Sequence, residues 1–267
     1  MDRSCCEIRL EMQSSISFYK SMLDSYGISQ NLIGIIGSLI LVILTTVIWK
    51  LTFGRSAHRT GILLAGLSDA GKTILFTQLT AGVAKETHTS LKENEAQYLV
   101  ANNQNKTALT VVDLPGHDAI RLQYLEKYKD NARGIVFVID SGTFQKSVKD
   151  VAEFLFHILT DKQLNKIAPS VCIACNKQDL LNSKTKTVIF NQLEKELNTV
   201  RKTQSAALSS TAGGTEDSVF LGRKGEDFQF SHLSKFKIEF LECNAKCSAV
   251  DEDVNLNELK SWISSLV

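Results

Sequence analysis

Three short runs in this 267-residue chain carry residues suited to holding a nucleotide. The first is Gly66-Leu67-Ser68-Asp69-Ala70-Gly71-Lys72-Thr73. Gly66 and Gly71 let the backbone curl so that successive amide N–H groups form a concave nest for phosphate oxygens. The helix that follows adds its positive end. In such a loop Lys72 reaches the β- and γ-phosphates and the Thr73 hydroxyl ligates Mg²⁺. The second run is Asp113-Leu-Pro-Gly116. Asp113, at a strand end, is suited to hold Mg²⁺ through a water, and Gly116 can offer its N–H to a γ-phosphate. That contact exists only while the third phosphate is present, so it can order the segment downstream. The third run is Asn176-Lys177-Gln178-Asp179. A carboxylate at Asp179 accepts from guanine N1–H and the 2-amino group, a donor pair adenine lacks; leaving buried polar groups unmet costs about 1–3 kcal/mol each. Asn176 can brace the phosphate and base loops, and the Lys177 stem can cover the base. Further on, Asn244-Ala-Lys246 suits a fourth contact, from the Ala245 N–H to guanine O6.

Two residues have more than one reading. Thr87 and Thr89 both lie between the first helix and second strand, and Thr89 is preferred as the sensor of γ-phosphate and Mg²⁺. His117, directly after Gly116, stands where many small GTPases place a water-orienting glutamine. It either orients water or acts as a general base, or rests outside the site. Arg121 and Arg133 follow nearby and read as surface residues, so intrinsic turnover is expected to be slow.

The elements that must position these residues alternate. Strands are expected at 61–65, 109–113, 134–140, 170–175 and 236–241. Helices are expected at 72–79, 119–129, 148–159, 186–202 and 256–267, the fourth with Val188, Leu193, Leu197 and Val200 on one face. Residues 82–97 read as a mobile loop. Residues 203–232 read as an insertion, with a flexible stretch at 204–217 and a short strand at 224–230. This order predicts an α/β fold: a doubly wound, mostly parallel sheet with the nucleotide at the strands' C-terminal ends.

Leu32 to Trp49 carries no charge and is mostly Leu, Ile and Val. As a helix it spans roughly 27 Å, close to a bilayer's hydrocarbon core of about 27–30 Å. Lys50, Arg55 and Arg59 follow it without a nearby acid, so the positive-inside rule places the C-terminal part in the cytosol. The expected division is a lumenal tail over 1–30, a transmembrane helix over 31–50, a basic tether over 51–60, and a cytosolic domain over 61–267. A net charge of +1 gives no support to a direct sequence-specific nucleic-acid surface. Of the six cysteines, Cys172 and Cys175 sit in a predicted strand, three apart and hence on opposite faces, which points to core packing rather than to a metal or redox pair.

The three motifs resemble the P-loop GTPases of the Ras-like superfamily, nearest the Arf and Sar branch. With the amino-terminal span and the Gly222-Arg-Lys-Gly-Glu-Asp-Phe-Gln-Phe-Ser231 segment added, the chain resembles the beta subunits of the signal recognition particle receptor over about residues 30–267. The resemblance implies GTP/GDP and Mg²⁺ as cofactors and a single-pass location in the endoplasmic reticulum membrane. It implies the receptor's alpha subunit as partner, docked on the GTP-loaded surface, with ribosome and translocon as further partners. Asn244 departs from the family's Ser-Ala-Lys pattern, which puts support for that loop in question. Two other functions compete. One is an Arf- or Sar-like trafficking regulator, which attaches to membranes reversibly. The other is a structural tether that holds GTP without useful hydrolysis.

Overall fold

A computed structural model describes residues 35, 38–46, 59–82, 92–101, 106–210, 219–246 and 255–267. The chain divides into two units, Met1–Ala57 and His58–Val267. In the first, residues 35 and 38–46 are helical, with Ile35 and Leu39 to Leu44 exposed. Among the described residues no helix is long and apolar enough to cross a membrane. The remainder of the expected span, the tail 1–30 and most of the tether lie outside the described residues.

The second unit is built on six strands: β1 (Gly61–Ala65), β2 (Asn94–Ala101), β3 (Lys106–Asp113), β4 (Ala132–Asp140), β5 (Ser170–Asn176) and β6 (Ile238–Glu242). Their order across the sheet is β2-β3-β1-β4-β5-β6, and every neighbouring pair is parallel except β2–β3. The doubly wound, mostly parallel sheet read from the alternating pattern is therefore present. Among the described residues six helices accompany it: α1 (Lys72–Ala81), α2 (Asp118–Tyr128), α3 (Phe144–Thr160), α4 (Lys162–Ile167), α5 (Lys186–Ser210) and α6 (Asn257–Ser265).

Both faces of the sheet are covered, which is why its central strands are apolar throughout. Along β1, Leu63 and Ala65 join the core shared with α2, α3 and α5, while Ile62 and Leu64 join the core under α1 and α6. Phe137 of β4 meets Phe154 of α3 with ring centroids 5.6 Å apart. On the other face Leu75, Trp262 and Ile263 are buried, each fully buried large side chain contributing roughly 1.5–3 kcal/mol. Cys172 and Cys175 divide between the two cores, as their spacing in a strand requires; both are buried and free. Burial pushes both thiols up, Cys175 to about 12, which suits packing rather than reactivity.

Four expectations are corrected. The loop read over 82–97 ends early, because Asn94 begins an eight-residue edge strand. One side of that strand faces solvent, so its polar residues masked it. The helix from Lys186 does not stop near 202 but continues to Ser210, and Ile189 rather than Val188 occupies its buried face; Val188 is exposed. The strand expected at 224–230 is irregular chain ending in a 3₁₀ turn, Phe230–His232, because Phe228 and Phe230 pack into a cluster with Phe190 and Phe240 instead of pairing with a neighbour. Helix α4 was not foreseen; it is capped by Asp161, whose carboxylate accepts from the Leu164 N–H at 2.8 Å.

Candidate nucleotide site

The three motifs meet at the C-terminal ends of β1, β3 and β5, where an open parallel sheet leaves a crevice. Gly66 to Gly71 links β1 to α1. Asp69 and Gly71 both adopt positive φ, 60° and 93°. At Gly71 a side chain is excluded twice, since a Cβ would also lie 2.3 Å from Nδ2 of Asn176. Lys72, the first residue of α1, is buried, and its ammonium donates to the Leu67 carbonyl at 2.7 Å. Burial pulls its pKa down to about 8, against the upward pull of Asp113 and Asp69.

Asp113 ends β3 and is fully buried. Its Oδ2 accepts from the Thr73 hydroxyl at 2.8 Å and from Nδ2 of Asn94 at 3.1 Å. Its Oδ1 is buried with no hydrogen-bond partner among the described residues. Burial raises its pKa, a shift that Thr73, Asn94 and Lys72 oppose. An orphaned carboxylate oxygen beside a hydroxyl is an oxygen donor set that fits a small hard cation such as Mg²⁺. Asn94 is a member of this group that sequence reasoning missed. It carried no signal, because it sat in a segment read as a loop.

Gly116 lies directly against the phosphate loop: a Cβ there would come within 2.5 Å of the Ser68 amide nitrogen and 2.6 Å of Nζ of Lys72. His117 is exposed and serves as the N-cap of α2, its Nδ1 accepting from the Ala119 N–H at 3.3 Å. Thr87 and Thr89 lie outside the described residues.

On the base side, Asn176 ends β5 and is buried. It braces two loops at once, donating from Nδ2 to the Ala70 carbonyl at 2.9 Å and accepting at Oδ1 from the Ala245 N–H at 3.1 Å. Ala245 is thus at the site, with its amide donating to Asn176 in this structure. Lys177 takes positive φ, 63°, and its ammonium pairs with Asp140 Oδ2 at 2.8 Å. Burial pushes the Asp140 carboxyl up, but Lys177 and the Thr143 amide outweigh it and hold the pKa below the ordinary value. Gln178 ties the turn down, donating to the Ser141 hydroxyl at 2.9 Å and the Lys184 carbonyl at 3.0 Å. Asp179 lies on this same turn, half-buried. Asn244 supplies the support in question at its loop, because its Oδ1 accepts from the Lys246 N–H at 3.1 Å and its own amide donates to the Asn255 carbonyl.

A family model described as signal recognition particle receptor beta subunit matches residues 57–236. The human signal recognition particle receptor subunit beta is 45% identical over 236 residues, covering 88% of this chain and 86% of that protein. A solved structure described as the mammalian SRP receptor matches with a TM-score of 0.66 at 42% identity, over 78% of this chain and 100% of that one. A Chaetomium thermophilum structure, described as an SRb-GTP/SRX complex, shares the fold with a TM-score of 0.62 at 21% identity, over 78% of this chain and 99% of that one.

Proposed function

The chain belongs to the family of signal recognition particle receptor beta subunits, and on that premise we propose that it is a membrane-integral guanine-nucleotide-binding subunit that anchors the receptor's alpha subunit at the endoplasmic reticulum for cotranslational protein targeting. The observation that carries the nucleotide reading is Asp113. A fully buried carboxylate with one oxygen bound to Thr73 and the other orphaned, beside a buried lysine and a curled glycine loop, is costly unless a cation and phosphates complete it. GTP or GDP with Mg²⁺ fits these residues. The loop from Gly66 to Gly71 would cradle phosphates, Lys72 would neutralise them, and Thr73 and Asp113 would hold the ion, with Thr89 as a further ligand. Asp179 would read guanine, with Asn176 and Lys177 holding its turn in place.

With GTP bound, the Gly116 N–H would donate to the third phosphate. Gly116 leads directly into α2, so helix position would report nucleotide state to a partner surface. His117, whose imidazole in this structure caps α2, would reach an attacking water only by leaving that cap. The uncharged run from Leu32 to Trp49 and the basic residues after it support a single-pass anchor with the nucleotide domain in the cytosol. Ribosome and translocon contacts would follow from the alpha subunit's delivery role.

Capture of the alpha subunit's amino-terminal domain by the detergent-purified chain tests this reading. Capture is expected to be strong with a non-hydrolysable GTP analogue, weak with GDP, and lost in Lys72→Met. Equal capture in all three conditions would overturn it.

A further inference from the structure

We propose that Arg121 is a positioning residue that pre-sets the phosphate-sensing segment: by fastening α2 to α3 it holds Gly116 where a third phosphate is read. This rests on the guanine-nucleotide reading and adds to it a device for telling GTP from GDP. From its place in the chain Arg121 was expected on the surface. Instead only 11% of its side chain is exposed. The guanidinium lies over the Phe154 ring, 4.9 Å from the centroid. Nη1 pairs with Asp118, which is itself exposed, and Nε is buried with no hydrogen-bond partner among the described residues.

A chain of contacts links Phe154 to Gly116. Phe154 is buried in α3 and packs on Phe137 of the central strand β4, so it is a fixed point. A planar cation on that ring ties α2 to the fixed point through a desolvated contact, which lysine reproduces only in part. Within α2 the Arg121 N–H donates to the His117 carbonyl at 2.9 Å, so the held residue is bonded to the residue next to Gly116. Gly116 in turn abuts the phosphate loop with no room for a methyl group. Releasing Arg121 therefore frees the one backbone amide that is expected to distinguish three phosphates from two. The charge of Arg121 also reaches both sides of this seam. It contributes, after burial, to the lowered pKa of Lys72 in the phosphate loop and of His157 in α3.

GDP offers nothing to Gly116, so loss of pre-organisation should penalise GTP selectively. Binding of a fluorescent GDP and of a fluorescent non-hydrolysable GTP analogue to the detergent-purified full chain separates the possibilities. Arg121→Ala is expected to weaken the GTP analogue about threefold to tenfold while GDP stays within about twofold. Arg121→Lys should recover part of the difference. Asp118→Asn, an exposed change that leaves the core untouched, should shift the ratio in the same direction by less and keeps the test open if Arg121→Ala folds poorly. Parallel losses for both nucleotides, or an unchanged ratio in Arg121→Lys and Asp118→Asn, would overturn the proposal while leaving nucleotide binding intact. A wild-type chain that binds neither nucleotide would remove the guanine-nucleotide reading and this inference together.

Discussion

Lys72 shows how a single residue can be prepared for an anion before it arrives. Its ammonium is removed from water and answered by one carbonyl, so its pKa falls to about 8 against an unfolded value near 10.5. Phosphate binding favours the charged form, and above pH 8 it must therefore take up a proton. Nucleotide affinity is expected to decline as pH rises beyond 8, with a slope approaching about tenfold per pH unit. Isothermal titration of GDP across that range in two buffers of different ionisation enthalpy would show the proton uptake, and Lys72→Met should flatten the slope. Stability of the free protein moves the other way. Between pH 8 and 10.5 the unfolded chain holds more protons at this position than the folded one, so this residue's contribution to stability rises with pH over that window. At the same scale, the motif residues were legible because phosphate, Mg²⁺ and guanine each demand particular residue types at fixed spacing. Arg121 was not, because what buries it is an aromatic ring on a different helix.

Among the elements, α5 and the segment after it changed most between sequence and structure. Arg201, in the C-terminal half of α5, is buried. Its guanidinium donates to the carbonyls of Leu221, Arg223 and Glu226 at 3.2, 3.2 and 2.6 Å, and to Asn198 Oδ1 at 2.7 Å. It gathers the irregular segment from Val219 to Gln229 onto the helix, and the aromatic cluster of Phe228, Phe230, Phe190 and Phe240 seals the far side. Arg201→Ala leaves several carbonyls unmet and is expected to lower stability by about 2–4 kcal/mol. Urea unfolding would give the magnitude, and faster amide exchange confined to residues 220–229 would place the damage. No local signal in the sequence marks this role, since the arginine's partners are backbone carbonyls of a distant turn. The central strands β1, β4 and β5 were readable for the opposite reason. Burial on both faces makes them continuous apolar runs, whereas β2, an edge strand with a solvated side, shows only a weak alternation.

At the scale of the whole molecule, the sheet gathers all three motifs at the C-terminal ends of its strands, the end opposite the residue at which β1 begins. Alkaline carbonate treatment of microsomes should leave the full chain in the membrane pellet, and its release to the supernatant would favour a reversibly attached regulator. Everything functional depends on a guanine nucleotide occupying the crevice, so the most direct measurement is nucleotide selectivity of the purified full chain in the presence of Mg²⁺. The account predicts that GTP and GDP bind, that ATP does not compete, and that Asp179→Asn moves preference from GTP toward XTP. ATP competing as well as GTP, or Asp179→Asn leaving the GTP-over-XTP preference unchanged, would contradict it.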